Sequence, residues 1–476
     1  MMRLKRIFLN LIILLPFQVS SQGKYTADNE SLSAHPLPAW YTKAKFGIMI
    51  HWGVYSVPAW KPLEEGWQGS NAAWYGPDVL YKPWRSDDFH ARNYGNDVGY
   101  RELGPMFRAE LWNPSDWATL IKYTGAGYAI ITAKHHDGYC MWDTPDPYAE
   151  NWNSMDVGPR RNIIGEFSQA VRQQGLKFGI LYSLMEWETT QTTWPFDPQY
   201  AAERTGYYVP QPIWEEYHLD EYEYTNHIHA QLKDLVERYN PEIIYAYGDW
   251  DKPDSLWESQ EFISWFYNTA TNRKNILVND RWGNNTAGLM GDVYISENGF
   301  ISEDPGHAWE EWVTMSNSYA LNREEQPIHY KSAGEIITSL CQTVCKGGNF
   351  VLNVSAGPDG IIPLNQQETL LAIGRWMEKN NKAILNSEPL SIPGSEHSFT
   401  RNGKYIYAFQ YGWSKGSIKI RLQEDYIIKN CNLLGYDSKL VWKQQGPDLL
   451  IFPPGLSPDN TQLGHVYVYQ IELELN

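Results

Sequence analysis

The amino-acid sequence predicts an α/β protein in which an irregular (β/α)8-like barrel is followed by a C-terminal antiparallel β-sandwich domain. Short apolar strands alternate with amphipathic helices over roughly 300 residues, a pattern typical of parallel strands wrapped by helices. This alternation stops after Ser387. The remainder consists of short alternating strands without helices, which indicates a small antiparallel domain.

The predicted barrel strands are apolar runs that end in polar residues. In chain order they lie within KFGIMIH, YAIITAK, LKFGILYSL, EIIYAY, NILVND, DVYISE and NFVLNVS. Helices are predicted between them at 114–124, 163–174, 222–238, 260–271, 333–345 and 365–380. Asn113 as N-cap and Pro114 at the first helical position mark the start of the first helix. The segment 188–213, rich in Trp, Tyr and Pro, is too long to be a simple connection.

Residues 1–21 predict a signal peptide. Basic residues within 1–6 precede an apolar run at 7–19 that is too short to span a membrane, and small residues precede a cleavage site at Gln22. A membrane anchor is the alternative interpretation. We therefore expect a periplasmic or secreted protein with three parts, namely 1–21 signal peptide, 22–387 catalytic barrel and 388–476 β-sandwich.

Composition and charge restrict the function. The 476 residues include 39 basic and 56 acidic ones, and the net charge of −17 argues against a nucleic-acid partner, which would need clustered Lys and Arg. The 22 Trp and 32 Tyr favour sugar binding, although core packing also explains many of these rings. The four cysteines make no disulfide framework, and the Cys341 and Cys345 pair lacks further ligands nearby. We expect no metal, no cofactor and no membrane partner.

Polar residues at the ends of the predicted strands are the candidates for chemistry, because barrel enzymes place catalytic side chains there. These residues are His51, His136, Tyr182, Glu186, Tyr247, Asp249, Arg281 and Glu297. His135 and His136 are adjacent on an extended backbone, so at most one of them is expected to face the pocket.

Glycoside hydrolysis is the chemistry that this set fits best. It needs two acidic groups across a cleft, one to donate a proton and one to attack carbon or activate water. Glu297 is a candidate proton donor, since an aromatic cleft raises the pKa of a poorly solvated carboxyl. The chain has no Gly-rich phosphate loop, and KHHDG lacks the histidine spacing of a zinc protease.

Six motifs resemble those of the α-L-fucosidases of glycoside hydrolase family 29. They are KFGIMIHWGVYSVPAW, YAIITAKHHDGYCMWDT, NSMDVGPRRNIIGEF, GLKFGILYSLMEW, NDRWG and KGGNFVLNVSAGPDGIIP, in the family's order. The resemblance implies a (β/α) barrel followed by a β-sandwich. It also implies a retaining exo-hydrolase of α-linked L-fucose, acting on oligosaccharides or polysaccharides without a metal.

The resemblance also implies roles for individual residues. His51 and His136, with His135 beside them, match histidines that hydrogen-bond sugar hydroxyls. Three further matches are Trp74 of the family's EWY motif, Tyr182 on the pocket floor and Arg281 of NDRW. Glu297 matches the general acid/base, for which the other candidates are Glu303 and Glu310.

The chain departs from the family pattern at the pocket. The family's EWY becomes AWY, so Ala73 removes a carboxylate from the pocket wall. In IIYAYGDW, Tyr245 replaces a tryptophan and Tyr247 replaces the nucleophilic aspartate.

Three interpretations of Tyr247 follow. The phenol is itself the nucleophile, with Asp249 or Glu186 as its base, which would suit an anionic sugar such as a sulfated one. Alternatively, Asp249 performs the reaction, directly or by activating water with inversion of configuration. In the third, hydrolysis is lost and a fucosidase-like sugar-binding protein remains. We expect an active exo-acting glycoside hydrolase that releases α-linked L-fucose or a related, including sulfated, sugar.

Overall fold

The computed structural model describes residues 25–63, 70–77, 86–187, 219–299, 305–455 and 464–474. The predicted signal peptide, the long segment 188–213 and the candidate Glu303 lie outside these residues. Within the described ranges, no helix has both the length and the apolar character needed to cross a membrane.

Eight parallel strands form the first sheet. They are β1 (Phe46–His51), β2 (Tyr128–Lys134), β3 (Lys177–Ser183), β4 (Ile243–Tyr247), β5 (Leu277–Val278), β6 (Tyr294–Glu297), β7 (Trp309–Thr314) and β8 (Asn349–Ser355). Their spatial order is β5-β4-β3-β2-β1-β8-β7-β6. The two edges are joined by an isolated bridge between Asn279 and Val293, by a 3.0 Å bond from the Asp292 amide to the Val278 carbonyl and by side-chain hydrogen bonds such as that from the Ile295 amide to Asp280. The predicted irregular barrel is therefore confirmed.

Helices occupy the connections between these strands. The described helices are α1 (Asn29–Ser33), α2 (Ala39–Ala44), α3 (Ser86–Asn93), α4 (Pro114–Tyr123), α5 (Ile163–Gln173), α6 (Glu221–Tyr239), α7 (Ser259–Thr269), α8 (Ala333–Cys345) and α9 (Leu364–Ile384). The side chain of Asn113 accepts from the Ser115 amide, which confirms the predicted start of α4. A reciprocal capping box between Asp220 and Glu223 starts α6.

The barrel interior is filled by side chains from the inward face of each strand. Near its lower end, the buried carboxyl of Glu310 accepts from the Tyr41 hydroxyl at 2.9 Å, the Tyr128 hydroxyl at 2.5 Å and the Trp312 indole at 3.0 Å. Burial raises the pKa of Glu310, and these donors oppose the shift. This aromatic layer fills the barrel interior below the upper ends of the strands.

The C-terminal part contains two antiparallel sheets. Its strands are β9 (Glu388–Leu390), β10 (Ser398–Asn402), β11 (Tyr405–Tyr411), β12 (Ile418–Arg421), β13 (Ile428–Leu433), β14 (Val441–Gln445), β15 (Asp448–Phe452) and β16 (Val466–Leu473). The sheet orders are β13-β16-β11-β10-β9 and β12-β15-β14. Helix α9 joins this part to the barrel, since the Trp376 indole donates to the Val466 carbonyl at 2.9 Å. The predicted fold class is confirmed.

Candidate active site

Strand β4 delivers Tyr247 to the inward face at the upper end of the barrel. Its partner in the register of β3 is Ser183, and the Tyr247 carbonyl accepts from the Leu184 amide at 2.8 Å. The chain then turns at Gly248, whose φ of 90° suits glycine. Asp249 therefore leaves the strand and does not continue its alternation.

Arg281 connects the two carboxylates of the site. One guanidinium nitrogen, Nη2, lies 3.1 Å from Glu297 Oε1, and the other, Nη1, lies 3.5 Å from Asp249 Oδ1. The Tyr319 hydroxyl donates to the other oxygen of Glu297 at 2.9 Å. The structure thus brings Glu297, Arg281 and Asp249 together, although they are distant in sequence.

Burial controls the protonation of both acids. The pKa of Glu297 is raised mainly by desolvation, with Asp249 acting in the same direction and with Arg281 and Tyr319 opposing. The pKa of Asp249 is also raised by burial, against the effect of Arg281. A carboxyl that retains its proton toward neutral pH can act as a general acid, and a carboxylate with raised proton affinity is a better general base.

Tyr247 remains a neutral phenol in this environment. Burial raises its pKa well above 10, the negative charges of Glu297 and Asp249 raise it further, and only Arg281 lowers it. No described residue forms a hydrogen bond with its hydroxyl. Ionisation of Tyr247 is therefore opposed by its surroundings, and no described residue accepts a hydrogen bond from its hydroxyl.

Three buried histidines form one wall. His51 Nδ1 lies 2.5 Å from Asn353 Oδ1, and His136 Nδ1 lies 2.6 Å from Ser183 Oγ. Burial lowers the pKa of His51 to about 4 and lowers the pKa values of His135 and His136 well below the usual range. These rings are therefore neutral at pH 7 and offer hydrogen bonds without charge.

The expectation that only one histidine of the pair faces the pocket is wrong. His136 stacks on Tyr247 with ring centroids 5.2 Å apart, and the His135 ring is 6.3 Å from the same tyrosine. Strand β2 ends at Lys134, and a turn follows in which the Gly138 amide donates to the His135 carbonyl at 3.1 Å. Strand alternation therefore no longer applies. His135 Nδ1 and His136 Nε2 are buried and have no hydrogen-bond partner among the described residues, so both can serve a ligand.

Aromatic rings form the opposite wall. Trp74, at the end of a 3-10 helix (Ala72–Trp74), lies 5.1 Å from the His136 ring and stacks at 6.1 Å on Trp250. Trp250 meets Tyr247 edge-on at 5.2 Å. Ala73 is buried in contact with Tyr55, so no side-chain carboxyl enters the pocket from this helix.

Tyr182 does not line the pocket. Its side chain lies on the outer face of β3, where its hydroxyl donates to Gln231 on α6 at 2.7 Å and Lys134 stands over its ring. The register pairs Tyr182 with Ala246 and Ser183 with Tyr247, so Ser183 shares the inward face. The prediction that Tyr182 lines the pocket is therefore wrong by one position, because the neighbouring Ser183 contacts the site.

Tyr245 and Glu310 lie beneath the site. Tyr245 is fully buried two residues before Tyr247 on the same face, and its ring is 5.3 Å from Trp312 in the aromatic layer. This position gives Tyr245 a packing role and disfavours a direct contact with a sugar. Glu310 is enclosed in the same layer, which disfavours it as the acid/base. Glu186 is paired with Lys134 and His227, away from the Tyr247 hydroxyl.

Several site residues escaped prediction from the sequence, namely Ser183, Trp250, Tyr319 and Asn353. Trp250 follows the strand-end turn directly, and the same strand-end rule would have found it. Tyr319 and Asn353 reach Glu297 and His51 from other parts of the chain, and no local pattern marks them.

Comparison with known proteins agrees with this geometry. A family model described as alpha-L-fucosidase matches residues 13–382. The tissue alpha-L-fucosidase of Bos taurus is 35% identical, covering 93% of this chain and 90% of that protein. The chain belongs to the α-L-fucosidase family. The alpha-L-fucosidase of Dictyostelium discoideum is a further member, 35% identical over 86% of this chain and 85% of its own length.

The solved α-L-fucosidase structures share the fold. The Thermotoga maritima alpha-fucosidase in complex with fucose superposes with a TM-score of 0.76 at 33% identity, covering 94% of this chain and all of that chain. The resemblance found in the sequence motifs is confirmed, and Tyr247 therefore stands in an otherwise recognisable α-L-fucosidase barrel.

The opposite orientations of Ser183 and Tyr182 on β3 can be tested by mutation. Ser183→Ala removes the partner of His136 Nδ1, so kcat/KM on an α-L-fucoside should fall about five-fold, the equivalent of one neutral hydrogen bond. Tyr182→Phe is the matched control: it removes only the bond to Gln231, so the melting temperature falls and kcat/KM stays within two-fold, on the order of experimental scatter. A larger kinetic effect in Tyr182→Phe would place Tyr182 in the site after all.

Proposed function

We propose that this α-L-fucosidase family member is an exo-acting glycoside hydrolase that releases α-linked L-fucose, or a closely related L-sugar, from oligosaccharides or polysaccharides. The observation that carries the proposal is the arrangement of Glu297 and Asp249 on the two nitrogens of Arg281, beneath a wall of neutral histidines. Glycoside hydrolysis requires two carboxyl groups in one site, one as proton donor and one as base or nucleophile. The predicted signal peptide supports a periplasmic or secreted location.

A neutral sugar fits the described side chains best. The histidines bear no charge at pH 7, and the guanidinium of Arg281 is already paired with two carboxylates. Hydrogen-bonding groups without net charge suit sugar hydroxyls, and the faces of Trp74 and Trp250 suit the apolar face of a deoxysugar. A sulfate would have to compete with Glu297 and Asp249 for Arg281. We therefore infer that an unsulfated sugar is preferred over a sulfated one.

Glu297 is the proposed proton donor. Burial raises the pKa of this carboxyl, which favours its protonated form, and the Tyr319 hydroxyl and Arg281 fix its orientation. As the bond between the anomeric carbon and the leaving oxygen breaks, the Glu297 proton passes to that oxygen.

Asp249 is the proposed general base. A water molecule attacks the anomeric carbon, its oxygen forms the new bond, and its proton passes to Asp249, so the configuration inverts. Arg281 pairs with both Asp249 and Glu297, so one side chain orients the proposed base and the proposed acid. Tyr247, which stays protonated, donates a hydrogen bond in the position that the family's nucleophile occupies. The competing route, attack by a Tyr247 phenolate, needs a base to deprotonate a phenol whose pKa is raised well above 10.

The proposal is tested by a screen of sulfated and unsulfated α-L-fucosides and α-L-galactosides with the wild type and Glu297→Gln. The wild type should release L-fucose. On a substrate with a poor leaving group, Glu297→Gln should lose about 10²- to 10⁴-fold in kcat, because proton donation is lost. The loss should be much smaller on an aryl fucoside whose phenol leaves without help. Thermal stabilisation by L-fucose without any turnover would instead identify a sugar-binding protein.

The roles of Tyr247 and Asp249 are separated by two isosteric changes. Asp249→Asn should lower kcat by about 10²- to 10⁴-fold, because the base is lost. Tyr247→Phe should cost about ten-fold or less, because it removes one hydrogen bond. Steady-state kinetics on the same fucoside provide the comparison. The opposite ranking would support Tyr247 as the nucleophile.

A further inference from the structure

A second carboxyl lies behind the proposed acid. Glu311 is on β7, opposite Ser296 in the register of β6, with its side chain on the outer face. Its Oε1 accepts from the Gly299 amide at 2.9 Å, and its Oε2 is buried. Glu311 thus contacts the turn that begins directly after Glu297.

Asn298 also binds the same turn to β7 through backbone and side-chain hydrogen bonds. The Asn298 amide donates to the Trp312 carbonyl at 2.8 Å, and the Asn298 side chain accepts from the Thr314 amide at 3.1 Å. Asn298 has a φ of 48°, so the chain reverses sharply at this point. Glu297 is therefore the last strand residue before a turn whose second half is bound at the Gly299 amide by Glu311 and at the Gly299 carbonyl by the Ser296 hydroxyl.

The charges around Glu311 connect it to Glu297. Its pKa is raised to about 7, first by burial and further by the negative charge of Glu297, against the hydrogen bonds of Ser296 and Gly299 and the charge of Lys346. Two neighbouring carboxyl groups that repel each other share their protons, because ionising one disfavours ionising the other.

We propose that Glu311 is a positioning residue for Glu297: it fixes the turn that follows the acid, and its negative charge opposes the ionisation of Glu297. This inference rests on the proposed role of Glu297. The other groups that face Glu297, namely Arg281, Asp249, Tyr247 and Tyr319, remain in place when only Glu311 is changed.

The test is the pH profile of kcat/KM for Glu311→Gln. Glutamine resembles the protonated acid and can still accept from the Gly299 amide, so below about pH 6 the variant should match the wild type. Above about pH 7.5, where the wild-type Glu311 is ionised, the variant should fall behind by roughly three-fold, because Glu297 loses its proton earlier.

Glu325→Gln is the matched control. Glu325 is also a half-buried carboxyl with a pKa of about 7, and it accepts from the Asn317 amide at 2.8 Å, but the groups that shift its pKa do not include Glu297. Its substitution should leave the shape of the pH profile unchanged. A ratio of wild type to Glu311→Gln that is constant from pH 5 to 9 would overturn the inference, as would the same pH-dependent loss in Glu325→Gln.

The outcomes also separate this inference from the proposed function. If the wild type hydrolyses none of the fucosides, the proposed function fails, and the pH comparison cannot be made. If the wild type is active and Glu311→Gln shows equal loss at every pH with a lowered melting temperature, Glu311 is structural only and the inference fails. Glu311→Asp, which keeps the charge but shortens the side chain, should retain the alkaline limb of the profile while losing activity uniformly.

Discussion

The ion pairs of Arg281 organise the site. A guanidinium held among Glu297, Asp249 and Tyr247 in a desolvated barrel end compensates two carboxylates that would otherwise repel each other. Burial still raises the pKa values of both acids, although the positive charge of Arg281 opposes this shift. The same guanidinium is the only group that lowers the pKa of Tyr247, and it does not prevail over burial.

Asp280, the residue before Arg281, holds this part of the chain in place. Asp280 accepts from the Gly288 amide at 2.9 Å and from the Ile295 amide at 3.2 Å, which ties the loop after β5 to the start of β6. These strands are the irregular edges of the barrel, joined elsewhere by an isolated bridge. Arg281 and Glu297 thus lie on the two sides of the closure. The position of Glu297 therefore depends on the irregular closure of the barrel between β5 and β6.

The sequence was sufficient for the alternation of strands and helices, for the change of pattern after Ser387, and for strand-end residues such as His51 and Glu297. It was insufficient where strand register or backbone direction determines which side chains face the site. Tyr182 and Ser183 are equally polar strand-end residues, and only the pairing of β3 with β4 shows that Ser183 faces Tyr247. The turn after Lys134 brings both histidines inward, against strand alternation. Tyr319 and Asn353 come from other elements, so only tertiary structure reveals them.

In the proposed mechanism, Tyr247 replaces the family's nucleophile without taking over its chemistry, and Asp249 supplies a base instead. The most direct measurement is the ¹H NMR spectrum of the sugar released in the first minutes from an α-L-fucoside, before the anomers equilibrate. The inverting mechanism predicts β-L-fucose as the first product, because a single displacement by water inverts the anomeric carbon. Initial release of α-L-fucose would show two displacements through a covalent intermediate and would contradict it.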